Sequence, residues 1–269
     1  MTTTETDVFT AEWQAWHRDH EQKRAAPHGF LAITGLHWLS DVPVRFPDAP
    51  GVWFTGAEGG VIVALDEGAE LVVDGETVRG RHEFGIIPER GGVNAVWNDA
   101  VIEVAKRGGH DIVRPRHPDN PLRVAHTGTP TFAPDPKWVV PGRYEPFAHP
   151  EPTTVGAAVA GLEHVYDAPG RIHFAVDGQE LSLTAFPGHA PESLLVLFTD
   201  ATSGVTTYAA NRALQLPPPG ADGTIALDFN RATNLPCAYT DLATCPLPPA
   251  ENRLPVAIEA GEQIPRERR

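Results

Sequence analysis

Cysteine is nearly absent. Cys237 and Cys245 are the only two in 269 residues, too few for a disulfide framework, and without a second ligand pair they do not make a structural zinc site. Long apolar runs are missing as well. The longest, such as Leu194–Phe198 and the equal Val61–Leu65, fall far short of the roughly 20 residues a membrane-spanning helix needs. Basic charge is scarce: 21 Lys and Arg stand against 35 Asp and Glu, for a formal charge of −14. Phosphate backbones and anionic lipid would repel such a chain, so neither nucleic acid nor a membrane is an expected partner. Only three lysines occur, Lys23, Lys106 and Lys137, a skew toward arginine that carries no functional weight.

The absences extend to catalytic signatures. Four serines occur (Ser40, Ser182, Ser193, Ser203), none in G-x-S-x-G, and there is no P-loop, G-x-G-x-x-G, H-E-x-x-H or EF-hand loop. No Asn-x-Ser/Thr acceptor is present, and Met1–Asp7 has neither a positive nor an apolar region of the secretory kind. The expectation is a cytoplasmic protein without a cofactor whose partner is a small molecule. Twelve histidines are scattered between His17 and His189 without H-x-H spacing, so no metal ligand is assigned. His17 and His20 stand at i, i+3 and could be read as a metal pair, but on a surface helix the spacing reads as solvated.

Glycine and proline are plentiful instead, at 25 and 27 residues, above the usual shares of about 7% and 5%. That excludes helix bundles. One helix is predicted from Val8 to about Ala26, where Phe9, Trp13, Trp16 and His20 form a stripe and Pro27 ends it. Downstream of Gly51 the chain reads as short β runs. Asp74-Gly75 and Asp177-Gly178 sit between extended segments, the strongest short hairpin signal. Further strands are expected at 60–65, 93–98, 101–106, 112–116, 193–199, 205–214, 224–230 and 254–259. Without helices between them these strands can only be connected antiparallel. The predicted fold is all-β, a barrel or sandwich with one N-terminal amphipathic helix, in a single domain over residues 8–263 with disordered tails at 1–7 and 264–269. The stretch Pro115–Pro152 holds ten prolines and must contain long loops or edge strands.

The densest polar chemistry lies between Phe198 and Glu262. As a strand, 205–214 would place Thr206, Tyr208, Ala210, Arg212 and Leu214 on one face. In 224–230, Asp228 and Asn230 would point away from Ile225, Leu227 and Phe229, into solvent or a lumen. The loop Asn230–Asp241 crowds amides, a guanidinium, a thiol and a phenol together, which favours the lumen. Asp200 reads as a turn-opening residue.

The segments Leu197–Tyr208, Arg212–Leu214, Leu227–Tyr239, Cys245–Pro249 and Glu251 through Glu262 resemble the domain of unknown function 1684 family. Weaker similarity extends upstream, to Gly29-Phe-Leu, Gly35–Leu39, Arg107 through Arg114, and Phe132 through Trp138, and the chain differs where Ser40-Asp-Val-Pro-Val follows Trp38 in place of a Gly-rich segment. The resemblance points to a site, not a reaction.

From the residue types, the expected function is cofactor-independent acid–base chemistry on a small polar metabolite in a barrel pocket. Asp228 is the candidate base, Tyr208 the acid or donor, and Cys237 a possible nucleophile against the plainer reading of a buried packing residue. Arg212 and Arg114 would hold a carboxylate, and Asn230, Asn234 and Tyr239 would complete substrate binding. The alternatives are a non-catalytic binding module using the same pocket, or a metal-dependent enzyme with histidines brought together from distant segments.

Overall fold

A computed structural model describes residues 3–268. Helix α1 runs Thr3–Arg24, so part of the expected N-terminal tail is helical. Arg266–Arg268 form a 3-10 turn where the other tail was expected, and residues 1, 2 and 269 of those tails lie outside the described residues. The chain divides into two compact units, an inserted one, Gln22–Thr127, and a main one, Met1–Glu21 with Gly128–Arg269. No linker composition marks either junction, which is why a single domain was expected over 8–263. No helix of the described residues is long and apolar enough to cross a membrane.

The inserted unit holds β1 (His37–Trp38), β2 (Val44–Arg45), β3 (Val52–Thr55), β4 (Val61–Ala64), β5 (Glu70–Val73), β6 (Glu76–Arg79), β7 (Arg81–Gly85), β8 (Gly92–Trp97), β9 (Ala100–Arg107) and β10 (His110–Arg116), then a short α2 (Pro121–Ala125). Its strands form two antiparallel sheets, ordered β1-β10-β9-β8-β5-β6 and β2-β3-β4-β7. Their apolar faces pack around Trp53, Leu71, Ile102 and Val104.

The main unit holds β11 (Val139–Gly156), β12 (Glu163–Val176), β13 (Gln179–Pro187), β14 (Leu194–Phe198), β15 (Arg212–Leu216) and β16 (Thr224–Asp228). They form one antiparallel sheet ordered β15-β14-β13-β12-β11-β16, curled into a half-barrel. Its interior is filled by Ile172, Phe174, Leu183, Phe198, Leu227 and Phe229, with the Phe229 ring 5.8 Å from Phe174 and 5.6 Å from Phe198. Both Asp-Gly hairpins form as read, with φ of 50° and 84° at Asp74 and Gly75 and 51° and 77° at Asp177 and Gly178, the paired positive φ of a type I′ turn.

Three strand readings need correction. Val205–Asn211 is a knot of turns, because the Thr202 carbonyl accepts from the N–H groups of Val205, Thr206 and Thr207, and the strand starts only at Arg212. Phe229–Arg231 is a 3-10 turn capped by Asp228, which rotates Asn230 off the face it was assigned. Leu254–Glu259 joins no sheet. The proline-dense stretch, in turn, contributes the long β11. Pro146, Pro150 and Pro152 fall beyond Arg143, where pairing with β16 has ended and β12 is the only neighbour. Missing N–H groups are tolerated on such an edge.

Candidate functional site

The main unit's polar interior is built around Arg212. Its side chain is 1% exposed, donates to the carbonyls of Ile258 and Ala260 and to Asp200 at 3.2 Å, and lies 5.1 Å over the Phe198 ring. Burial pulls its pKa below the ordinary value against the pull of Asp200 and then Glu262, yet a guanidinium remains charged at neutral pH. Asp200 does more than open a turn: it accepts from Thr202 and Ser203 and, at 2.6 Å, from the Ile258 N–H. These side chains supply the bonds that a neighbouring strand would have given residues 258–260. The guanidinium therefore binds the protein's own backbone.

The loop after β16 is tied in the same way. Asn230 accepts from the Asp135 N–H at 2.9 Å and donates to the Asp135 carbonyl at 3.0 Å. Asp228, half-buried, accepts from the Asn230 backbone and side chain and pairs with Arg231 at 3.1 Å. Asn234 donates to the Gln263 carbonyl, its N–H reaches Glu262 Oε2 at 2.6 Å, and its buried Oδ1 has no hydrogen-bond partner. Asp228, Asn230 and Asn234 are thus neighbours along one loop, with Arg212 behind it.

Tyr208 and Cys237 lie in a separate cluster with Cys245 and Ala243. The Tyr208 hydroxyl donates to the Cys237 carbonyl at 2.8 Å, and the Cys237 N–H reaches Cys245 Sγ at 3.3 Å. The Cys245 thiol lowers the Cys237 pKa against the effect of burial, while burial raises that of Tyr208. Both cysteines are buried thiols outside any disulfide. Tyr239 shares a 2.7 Å hydrogen bond with Thr129. Arg114 belongs to the inserted unit, where its guanidinium grips Glu103 at 2.9 and 2.8 Å. Sequence reading gathered these eight residues into one pocket, whereas the fold distributes them over a loop, a cysteine cluster and a second unit.

Two features lie outside the pocket that the sequence reading assembled. The first is on α1, where the His17 ring stacks on Trp13 at 4.9 Å and the His20 ring on Trp16 at 5.4 Å. Neither histidine is simply solvated: donor atoms of His17, Glu21 and Glu262 lie within 4.8 Å of one another, and His20 Nε2 is 3.6 Å from Glu262. The i, i+4 spacing of His17 and Glu21 was the available signal, but Glu262 lies 245 positions from His17. The second is a cavity of about 910 Å³ at the mouth of the half-barrel, between the β13–β14 and β15–β16 turns, lined by Arg143, Tyr144, Pro169, His189, Pro219 and Asp222 among others.

Comparison with known proteins bears on the main unit. The family described as Protein of unknown function (DUF1684) matches residues 124–263. The chain belongs to this family. The DUF1684 match takes in the half-barrel, the Arg212 cluster, both cysteines and Glu262, while α1 and Arg114 lie outside it. Among solved structures, the solution NMR structure of an uncharacterised protein from Haloarcula marismortui is 33% identical, covering 53% of this chain and 79% of that one with a TM-score of 0.45. None of the curated proteins matches.

Proposed function

We propose that this DUF1684 protein is a cytoplasmic binding module that holds a small, partly apolar molecule in the mouth of its half-barrel. The observation that carries the reading is the mouth cavity itself, about 910 Å³ with proline walls and Tyr144. Ligand sites are typically concave, mainly apolar and provided with a few directing polar groups. Burial raises the Tyr144 pKa, so its hydroxyl stays protonated at neutral pH and can donate to a ligand oxygen. Arg143 and Asp222 give the rim both signs of charge.

Retention is better supported than turnover. Acid–base catalysis at Asp228 with Arg212, Asn230 and Asn234 would require freeing groups that hold backbone in place, and the half-barrel lumen behind them is packed with phenylalanine. The test uses 1-anilinonaphthalene-8-sulfonate as probe. One saturable site is expected, weakened about tenfold or more by Ala221→Trp, which fills the mouth, in keeping with the ~1.4 kcal/mol per decade of affinity. No saturable binding, or equal binding by the filled variant, overturns the reading.

A further inference from the structure

The segment His17-Arg-Asp-His-Glu21 puts two imidazoles and a carboxylate within five residues of α1, and i, i+3 and i, i+4 neighbours share a helix face. The fold brings Glu262 to that face. His17 Nε2 is 3.8 Å from Glu21 Oε1, and His20 Nε2 is 3.6 Å from Glu262 Oε1. These separations are too long for hydrogen bonds, which close at about 2.7–3.2 Å. They are close to the ~3.4 Å between neighbouring donors on a tetrahedral ion whose bonds are about 2.0–2.2 Å long.

The donors are also held in place. Glu262 is 1% exposed, and its Oε2 is fixed by the Asn234 N–H, leaving Oε1 toward His20. Trp13, which stacks on His17, is itself anchored by its Nε1–H to the Asn230 carbonyl at 2.8 Å, and Arg231 lies 5.4 Å over the Trp16 ring that stacks on His20. Outer contacts of this kind orient the ligands in metal sites.

We propose that His17, Glu21 and Glu262, whose donor atoms lie within 4.8 Å of one another, bind one divalent transition-metal ion of the Zn²⁺ class, with His20 beside Glu262 supplying a second imidazole. Two imidazoles with two carboxylates suit Zn²⁺, Fe²⁺, Ni²⁺ or Mn²⁺, whereas Ca²⁺ and Mg²⁺ call for oxygen ligands alone. The site is separate from the mouth cavity and does not depend on it. It gives the loop residues Asn230, Asn234 and Arg231 a positioning role, and it would clamp α1 onto the loop that follows β16.

The experiment is Zn²⁺ titration of the full chain after chelator treatment, read by calorimetry and by metal content after gel filtration, with Co²⁺ absorption as a ligand fingerprint. One ion per chain is expected, with no thiolate-to-metal band. His17→Ala and Glu262→Gln should each weaken binding on the order of a hundredfold or more, and Trp16→Leu about 10- to 100-fold, the range for outer-shell changes. The Cys237→Ser/Cys245→Ser double variant should bind as the parent does. Glu262→Gln keeps an acceptor for the Asn234 N–H; should it not fold, His17→Ala on the helix surface decides. No stoichiometric ion in the parent, unchanged binding in His17→Ala, or loss only in the cysteine variant overturns the proposal.

Discussion

The two units bury charge in opposite ways. In the inserted unit one carboxylate, Glu103, sits among three guanidiniums, those of Arg107, Arg114 and Arg116. In the main unit one guanidinium, Arg212, sits near two carboxylates, Asp200 and Glu262. The first arrangement lies across strand neighbours of one sheet, with Glu103 opposite Arg114 on β10, and two of its arginines reach water. The second is closed to water and links segments that share no sheet. The inserted unit therefore uses ion pairs to finish a ladder, and the main unit uses them in place of one.

Breaking the main-unit centre should have the largest effect. Arg212→Met keeps the length and apolar stem but leaves Asp200 and Glu262 buried and strips two carbonyls of their donors. Removing one partner of a buried pair costs about 3–5 kcal/mol, and urea unfolding should register that loss. Hydrogen exchange should rise specifically around residues 258–260, where the side chains of Asp200 and Arg212 hold the backbone. A loss below about 1 kcal/mol, the worth of an ordinary surface pair, would erase the contrast between the units.

The equivalent change in the inserted unit should be milder. Glu103→Gln retains the shape and an acceptor, and Arg107 and Arg116 keep partial access to water, at 16% and 23% side-chain exposure. The expected loss is about 2 kcal/mol at neutral pH, within the range for hydrogen bonds to charged groups. A loss as large as that of Arg212→Met would mean that ladder support contributes nothing.

The same contrast explains what the sequence discloses. Local signals carried through: Asp-Gly turns, alternating strands and the tryptophan stripe of α1 all act over a few residues, and the antiparallel all-β class follows from them. Leu254–Glu259 reads as a strand because its composition fits one, yet beyond the backbone bonds of Leu254 and Val256 to Thr199 and Ala201 it is held at Ile258 by the side chains of Asp200 and Arg212, over forty positions away. Arg212 and Asn230 were singled out for their polarity, which their spacing could not assign to backbone support. His17 was legible as a histidine on a helix. What makes it more than that is Glu262, placed beside it by tertiary packing alone.

The smallest effect separates charge from shape. Burial would raise the Glu103 pKa, but Arg114 and Arg116 outweigh it and hold the carboxyl below its usual range. A carboxylate with a depressed folded-state pKa contributes stability that is fully present above its unfolded value, about 4.3 for Glu, and is lost as pH falls through the folded one. Asp48 behaves alike: burial opposes its ionisation, and hydrogen bonds from His37 and Thr34 at 2.7 and 2.8 Å prevail. The stability gap between the parent and Glu103→Gln should therefore stay level from pH 7 to about 5 and close as pH drops below about 4, where the parent's own Glu103 becomes a neutral isostere of glutamine. Urea midpoints across that range measure it. A gap that persists at low pH would assign the role of Glu103 to its shape and hydrogen bonds, and the inserted unit would then differ from the main unit in kind rather than in sign of charge.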